Sequence, residues 1–227
     1  FITVYGIEPL YHLNSSIHFN MLHKLSIVLL LFAFFKRKKK KETKAAVKKP
    51  AAVTPKMNKE AERLQKYAAD FLAYAKQNGY NTETGFLFDI QQSSGSKRFY
   101  VYDFKKNKVI HKGLVTHGNC GESFLAENRY GNTVGCNCSS LGKYKIGNKY
   151  YGRFGLAYKL HGLNKTNDKA FERFVVLHAH SCVPDGEVEP MPICQSNGCP
   201  TVAPNFLQTL STYIDESKKP VLLWIYE

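Results

Sequence analysis

The stretch best equipped for chemistry is Phe174 to Val202, FVVLHAHSCVPDGEVEPMPICQSNGCPTV. An apolar run, Val175-Val176-Leu177, ends in His178-Ala179-His180. Strand side chains alternate, so His178 and His180 share one face with Val176. Further on, Ser196-Asn197-Gly198-Cys199-Pro200 leads toward the last helical region. A cysteine just before a helix would feel the positive end of its dipole, which favours the thiolate. Backbone N–H groups around Gly198 and Cys199 would be free to hold an oxyanion. Gly198 has no side chain, so a carbonyl substrate can come close. A histidine on the nearby strand can take the thiol proton. Nucleophile, base and oxyanion donors therefore come from one segment, the requirement for acyl transfer through a covalent thioester.

Other uses of these residues must be weighed. A lone cysteine is commonly a small buried hydrophobe. His178, His180, Cys182, Cys194 and Cys199 lie within 22 residues and could suggest zinc. However, H-x-H-x-C is not the usual knuckle spacing of two to four residues. A Cys182–Cys194 disulfide is a further option, and it would pin the loop that carries the cysteine. There are six cysteines, and with Cys199 kept free the remaining five cannot all pair with one another. The pairing is not derivable from spacing.

At these residues the chain resembles the L,D-transpeptidase (YkuD-like) catalytic domains of bacteria, in the branch with Gly-Cys-Pro. The family pattern is a strand-end histidine, a loop, then Ser/Thr-x-Gly-Cys, here His178 and Ser196-Asn197-Gly198-Cys199. The resemblance extends upstream to Val115-Thr116-His117-Gly118, Ser139-Ser140-Leu141-Gly142, Tyr151-Gly152-Arg153-Phe154-Gly155 and Leu160-His161-Gly162-Leu163, covering residues 85–227. It implies Cys199 as nucleophile and His178 as general base. Ser196, Gly198 and Asn197 would shape the oxyanion and substrate site, with His180 and His117 near it. The implied substrate is the stem peptide of peptidoglycan, attacked after its third residue. An amine of a second stem then takes the acyl group. A hydrolytic version with the same acyl-enzyme and a catalytically silent wall-binding module remain alternatives. Three positions depart from the family: Ala179 where glycine is usual, Asn197 where many members have histidine, and Thr201 where many have arginine. The resemblance implies no cofactor and no metal, and a monomer is expected.

The elements that must position these residues read as mainly β (α+β). The resemblance makes this a YkuD-like β-sandwich with one or two short helices. Leu64, Tyr67, Ala68, Phe71, Leu72 and Ala75 recur at three and four, which predicts a helix over 58–78 with Asn58 as cap and Asn78-Gly79 as stop. Phe86–Phe88, Phe99–Tyr102 and Val109–Ile110 are short aromatic and β-branched runs between turn residues, which predicts antiparallel strands. Residues 173–180 form a further strand, 204–216 a helix and 221–226 a closing strand.

Net charge is +14, yet residues 36–49 hold nine Lys/Arg and one acid, so the rest carries only +6. A nucleic-acid partner would need basic residues organised on a folded face, and none is legible. Residues 1–20 read as an upstream extension. Residues 21–35, with the apolar run 25–35, resemble a signal-peptide or anchor segment, being short of the about 20 residues a span needs. Residues 36–57 read as a basic Ala/Lys/Pro tether, and 58–227 as the catalytic domain. This predicts export to the periplasm or envelope, close to the inner membrane.

Overall fold

The computed structural model describes residues 55–227; the predicted extension, signal-like segment and most of the tether lie outside the described residues. Among the described residues no helix is long and apolar enough to cross a membrane.

The chain order is α1 (Pro55–Gln77), β1 (Thr84–Asp89), β2 (Phe99–Asp103), β3 (Lys108–Gly113), β4 (Gly142–Gly152), β5 (Gly155–Gly162), β6 (Val176–Ala179), β7 (Thr201–Val202), α2 (Pro204–Asp215) and β8 (Leu222–Tyr226). The expectation of a mainly β domain with two helices holds. One difference is at the first helix, which begins at Pro55, so Asn58 lies inside it. Proline suits a first helical position, where its missing N–H would be unpaired anyway. The predicted stop is correct: Gly79 has φ +73° and the Tyr80 N–H reaches back to Ala75 O at 3.0 Å.

The strands form one eight-stranded sheet in the order β3-β2-β1-β8-β4-β5-β6-β7. β1–β2 and β2–β3 pair antiparallel as expected, whereas β1–β8 and β6–β7 are parallel. The sheet curls until its ends meet: Val115, just past β3, bridges Val202 of β7. Side-chain alternation divides its residues between two faces. Phe86 and Phe88 face an inner core shared with Phe206, Leu207 and Leu210 of α2. Leu87, Leu222 and Tyr226 face the opposite side, under Ala68, Phe71 and Ala75 of α1. Covering on both faces explains why β1 and β8 read as continuous apolar runs. Tyr67 of α1 stacks on Tyr226 with ring centroids 3.8 Å apart.

Arg98 is fully buried in the inner core. Its guanidinium donates to Val115 O, Ile90 O and Gln92 O and touches His117 Nδ1 at 2.9 Å. It thereby ties the end of β1 to the segment 115–117, which runs beneath the site.

Candidate active site

Four separated segments build the site. β6 carries His178 and runs on to His180. β7 pairs with β6 in parallel, placing Thr201 opposite His178. The segment before β7 holds Ser196 to Cys199. It is zipped to residues 117–119 by Ser196 N–His117 O and Asn119 N–Ser196 O bonds, both 2.9 Å. The β4–β5 turn brings in Phe154. A cavity of about 230 Å³ is lined by His178, His180, Thr116, Gln195, Ser196, Asn197, Cys199, Thr201 and Phe154 with Cys182.

The Cys199 Sγ–H donates to Phe174 O at 3.8 Å and the sulfur accepts from the Val176 N–H at 3.4 Å. Burial pushes the thiol above its ordinary 9.0, and the Val176 N–H and the nearby Arg173 charge offset this only in part. The expected activation by a helix dipole is therefore corrected. β7 stands between Cys199 and α2, whose first residue is Pro204, and dipole effects fade beyond the first turn.

His178 is buried, and burial moves its pKa below 6.5; the Ala179 carbonyl opposes this and His180 adds to it. Its Nδ1 lies 3.0 Å from Ala179 O. A carbonyl only accepts, so Nδ1 carries the proton. Nε2 then presents a lone pair, and the Thr201 hydroxyl donates to it at 3.0 Å. Thr201 has a second acceptor, Cys199 O at 3.4 Å. The ring of Phe154 stacks on His178 with centroids 4.8 Å apart. His180 is exposed, and its Nδ1 accepts from the Cys182 N–H at 3.1 Å.

Ser196 Oγ donates to Cys199 O at 2.6 Å and accepts from the Gly198 N–H at 3.2 Å. The Gly198 N–H is thus engaged, whereas the Cys199 N–H has no acceptor among the described residues. Gly198 has φ +106°, and a Cβ there would lie 2.7 Å from Cys138 O, so both conformation and space demand glycine. Asn197 lines the cavity, and its Oδ1 accepts from Asn119 at 3.5 Å. His117 does not line it. It lies behind Ser196, where burial and then Arg98 lower its pKa to about 4. Its carbonyl, more than its ring, holds the site, by accepting from Ser196.

The sequence reading passed over three participants. Thr201 was visible only as a departure from the family, although its place two residues after Cys199 in a β-branched pair could have put it beside His178. Phe154 lay in a quoted motif without a role. Arg173 donates to Cys138 O and, at 2.9 Å, to Gly131 O, which sets a positive charge near Cys199 that no local spacing announces.

Cys182–Cys194 and Cys120–Cys138 are disulfides, while Cys136 and Cys199 are free thiols. The first bridge takes two sulfurs out of the zinc set weighed above. It also fastens the loop after β6 to the segment leading into Cys199. The second anchors the segment whose Cys138 carbonyl packs against Gly198.

Three solved structures give the scale of likeness. The avibactam carbamoyl enzyme of Ldtfm has 12% identity and TM-score 0.40, covering 64% of this chain and 49% of that one. The helical cell shape determining protein Pgp2 from Campylobacter jejuni has 15% identity and TM-score 0.38, covering 63% and 47%. A mutant of Enterococcus faecium L,D-transpeptidase has 11% identity and TM-score 0.39, covering 63% and 50%. The chain thus spans about half the length of these solved chains. No curated protein matches the sequence. The L,D-transpeptidase catalytic domain model matches residues 56–226, nearly all that the structure describes, and the chain belongs to that family.

Proposed function

We propose that the chain is a peptidoglycan L,D-transpeptidase acting through an acyl-enzyme on Cys199. The supporting observation is that Cys199, a free thiol, and His178 line one cavity, with the histidine tautomer fixed by Ala179 O. Burial disfavours both the thiolate and the imidazolium, so the resting pair is neutral and the thiol needs a base.

The steps follow from that pairing. Sγ turns from Phe174 O toward His178 as Thr201 releases Nε2. Nε2 takes the thiol proton, and sulfur attacks the carbonyl after the third stem residue. The oxyanion meets the Cys199 N–H, which has no other acceptor to give up. Imidazolium returns its proton to the leaving D-amino acid amine, and a thioester remains. An amine of a second stem attacks the thioester, giving its proton to Nε2, and the new amide leaves the thiol restored. The Thr201 hydroxyl suits both states of the ring. It donates to neutral Nε2, and it accepts from Nε2–H while donating to Cys199 O.

Export to the envelope is part of the same reading. Two disulfides favour an oxidising compartment, and wall substrate lies outside the inner membrane. Cell fractionation that finds the protein wholly in the cytoplasm would reject this.

Purified protein incubated with tetrapeptide-stem muropeptides should release the terminal D-amino acid and yield a cross-linked product. Intact mass after a carbapenem should show one adduct on Cys199. Cys199→Ala should do neither while melting as the wild type. Turnover retained in Cys199→Ala would refute the assignment, and release without cross-linking would replace transfer by hydrolysis.

A further inference from the structure

A second cavity, of about 320 Å³, adjoins the backbone that holds Cys199. It is lined by Tyr150, Lys159, Phe171, Phe174, Val175 and Val176. Phe174 O and the Val176 N–H are the two groups that grip Cys199 Sγ. The cavity wall and the sulfur's cradle are therefore one strand segment.

Its rim is aromatic and exposed. Phe174 is 84% exposed, Phe171 51% and Tyr150 38%. Such a concentration of open rings marks a contact surface on a soluble domain. Phe174 also sits at φ +56°, a region costly for a bulky residue. A strained backbone that turns a ring into solvent indicates that the ring has work there. The residues from Gly142 to Gly162 include five Lys/Arg and no acid. Lys149 is paired with Asp215, but Arg153 and Lys159 have no carboxylate partner among the described residues.

We infer that this aromatic rim and cavity bind the sugar backbone of the wall polymer, placing its stem peptide over Cys199; this rests on the murein reading above. A pyranose ring has an apolar C–H face that lies flat on an aromatic ring and a polar edge that takes hydrogen bonds. The rim offers rings for the first, and Lys159 with the Tyr150 hydroxyl for the second. The stem peptide carries free carboxylates, which suits a ribbon without acids. An anionic lipid surface is the less fitting occupant, because the rings surround a hollow and do not form the continuous apolar stripe that lies flat in a bilayer interface.

The test uses the full chain, wild type and Tyr150→Ala/Phe171→Ala, neither residue being part of the acyl-transfer machinery. Calorimetry with N-acetylglucosamine tetramer should show binding by the wild type and a loss of about tenfold in affinity in the double variant, as expected for two stacked rings. With the tetrapeptide stem presented on glycan, KM should rise about tenfold in the variant. With the free tetrapeptide, kcat and KM should be unchanged, and the melting temperature should match the wild type. No binding of the tetramer by the wild type would overturn the inference. So would equal losses on glycan-linked and free stems, binding to phosphatidylglycerol vesicles with none to the sugar, or self-association that the variant abolishes. Sugar binding without stem turnover would overturn the acyl-transfer reading and leave this one standing.

Discussion

Thr201→Val isolates the device that orients the base. Valine keeps the β-branched shape of β7 and removes only the hydroxyl. In the wild type that hydroxyl lies 3.0 Å from His178 Nε2. Its loss leaves the imidazole held by Nδ1 alone and removes the partner that would follow Nε2 into the protonated state. One neutral hydrogen bond is worth a net ~1 kcal/mol, which is roughly fivefold in rate. Bonds to a charged ring are worth up to ~3 kcal/mol, so the loss in kcat/KM should fall between roughly fivefold and a hundredfold. The fold should be spared. Cys199 O keeps the donors Ser196 Oγ at 2.6 Å and Thr116 Oγ1 at 3.2 Å, and the Thr201 N–H keeps Thr116 Oγ1. Steady-state release of the D-amino acid and the rate of carbapenem acylation, read by intact mass, should fall together, and Thr201→Ser should restore both. Wild-type rates in Thr201→Val would refute the argument. A matching loss in Thr201→Ser would as well, since the serine hydroxyl can reach the same nitrogen.

Three further outcomes follow from the same geometry. The profile of kcat/KM should lose activity as pH falls through a His178 pKa below 6.5, and hold its plateau to above 9.0, because the base must be neutral and the thiol ionises late. A fall in activity just above neutrality would instead show a resting thiolate–imidazolium pair. His178→Ala should cost about 10²–10⁴-fold in rate, and His180→Ala, which loses only an exposed ring bonded to the Cys182 N–H, should cost much less; the reverse order exchanges their roles. Arg98→Met should lower the unfolding free energy by about 3 kcal/mol, since it strips donors from three buried carbonyls and His117, measurable by urea denaturation; a change within 0.5 kcal/mol, the range of an ordinary surface substitution, would contradict the role given to Arg98.

The elements were legible where local pattern and burial agree. β1 and β2 alternate between two apolar environments, and α2 and β8 carry unbroken local signals. The sheet order was not legible. β8 pairs parallel to β1 across most of the chain, and the only local trace of that central place is the absence of a polar face in Leu222–Tyr226. The start of α1 was misplaced because Asn58 offered a cap, while proline at position 55 is equally at home in a first turn. Cysteine pairing was closed to spacing arguments, since Cys120 meets Cys138 where the Cys120 N–H bonds Asn137 O and the Gly118 N–H bonds Ser139 Oγ, contacts between loops that no local pattern announces.

The site divides along the same line. That His178, Ser196, Gly198 and Cys199 come together was readable, because all four lie in the one stretch from Phe174 to Val202. The source of reactivity was not, because it depends on which element follows Cys199. A helix there would have supplied a dipole and a low thiol pKa. β7 supplies a sheet partner for β6 instead, and with it Thr201 opposite His178. The parallel register that takes the helix away from the sulfur is thus the same register that fixes the base. Burial then raises the thiol and lowers the imidazole together, so that charge separation waits for a substrate carbonyl. On the proposed acyl-transfer reading, a stem peptide filling the cavity lets the proton move and offers the oxyanion a donor in the same step. That timing suits a free thiol in the oxidising compartment proposed above, because thiolate, the form that reacts with oxidants, is scarce until substrate arrives.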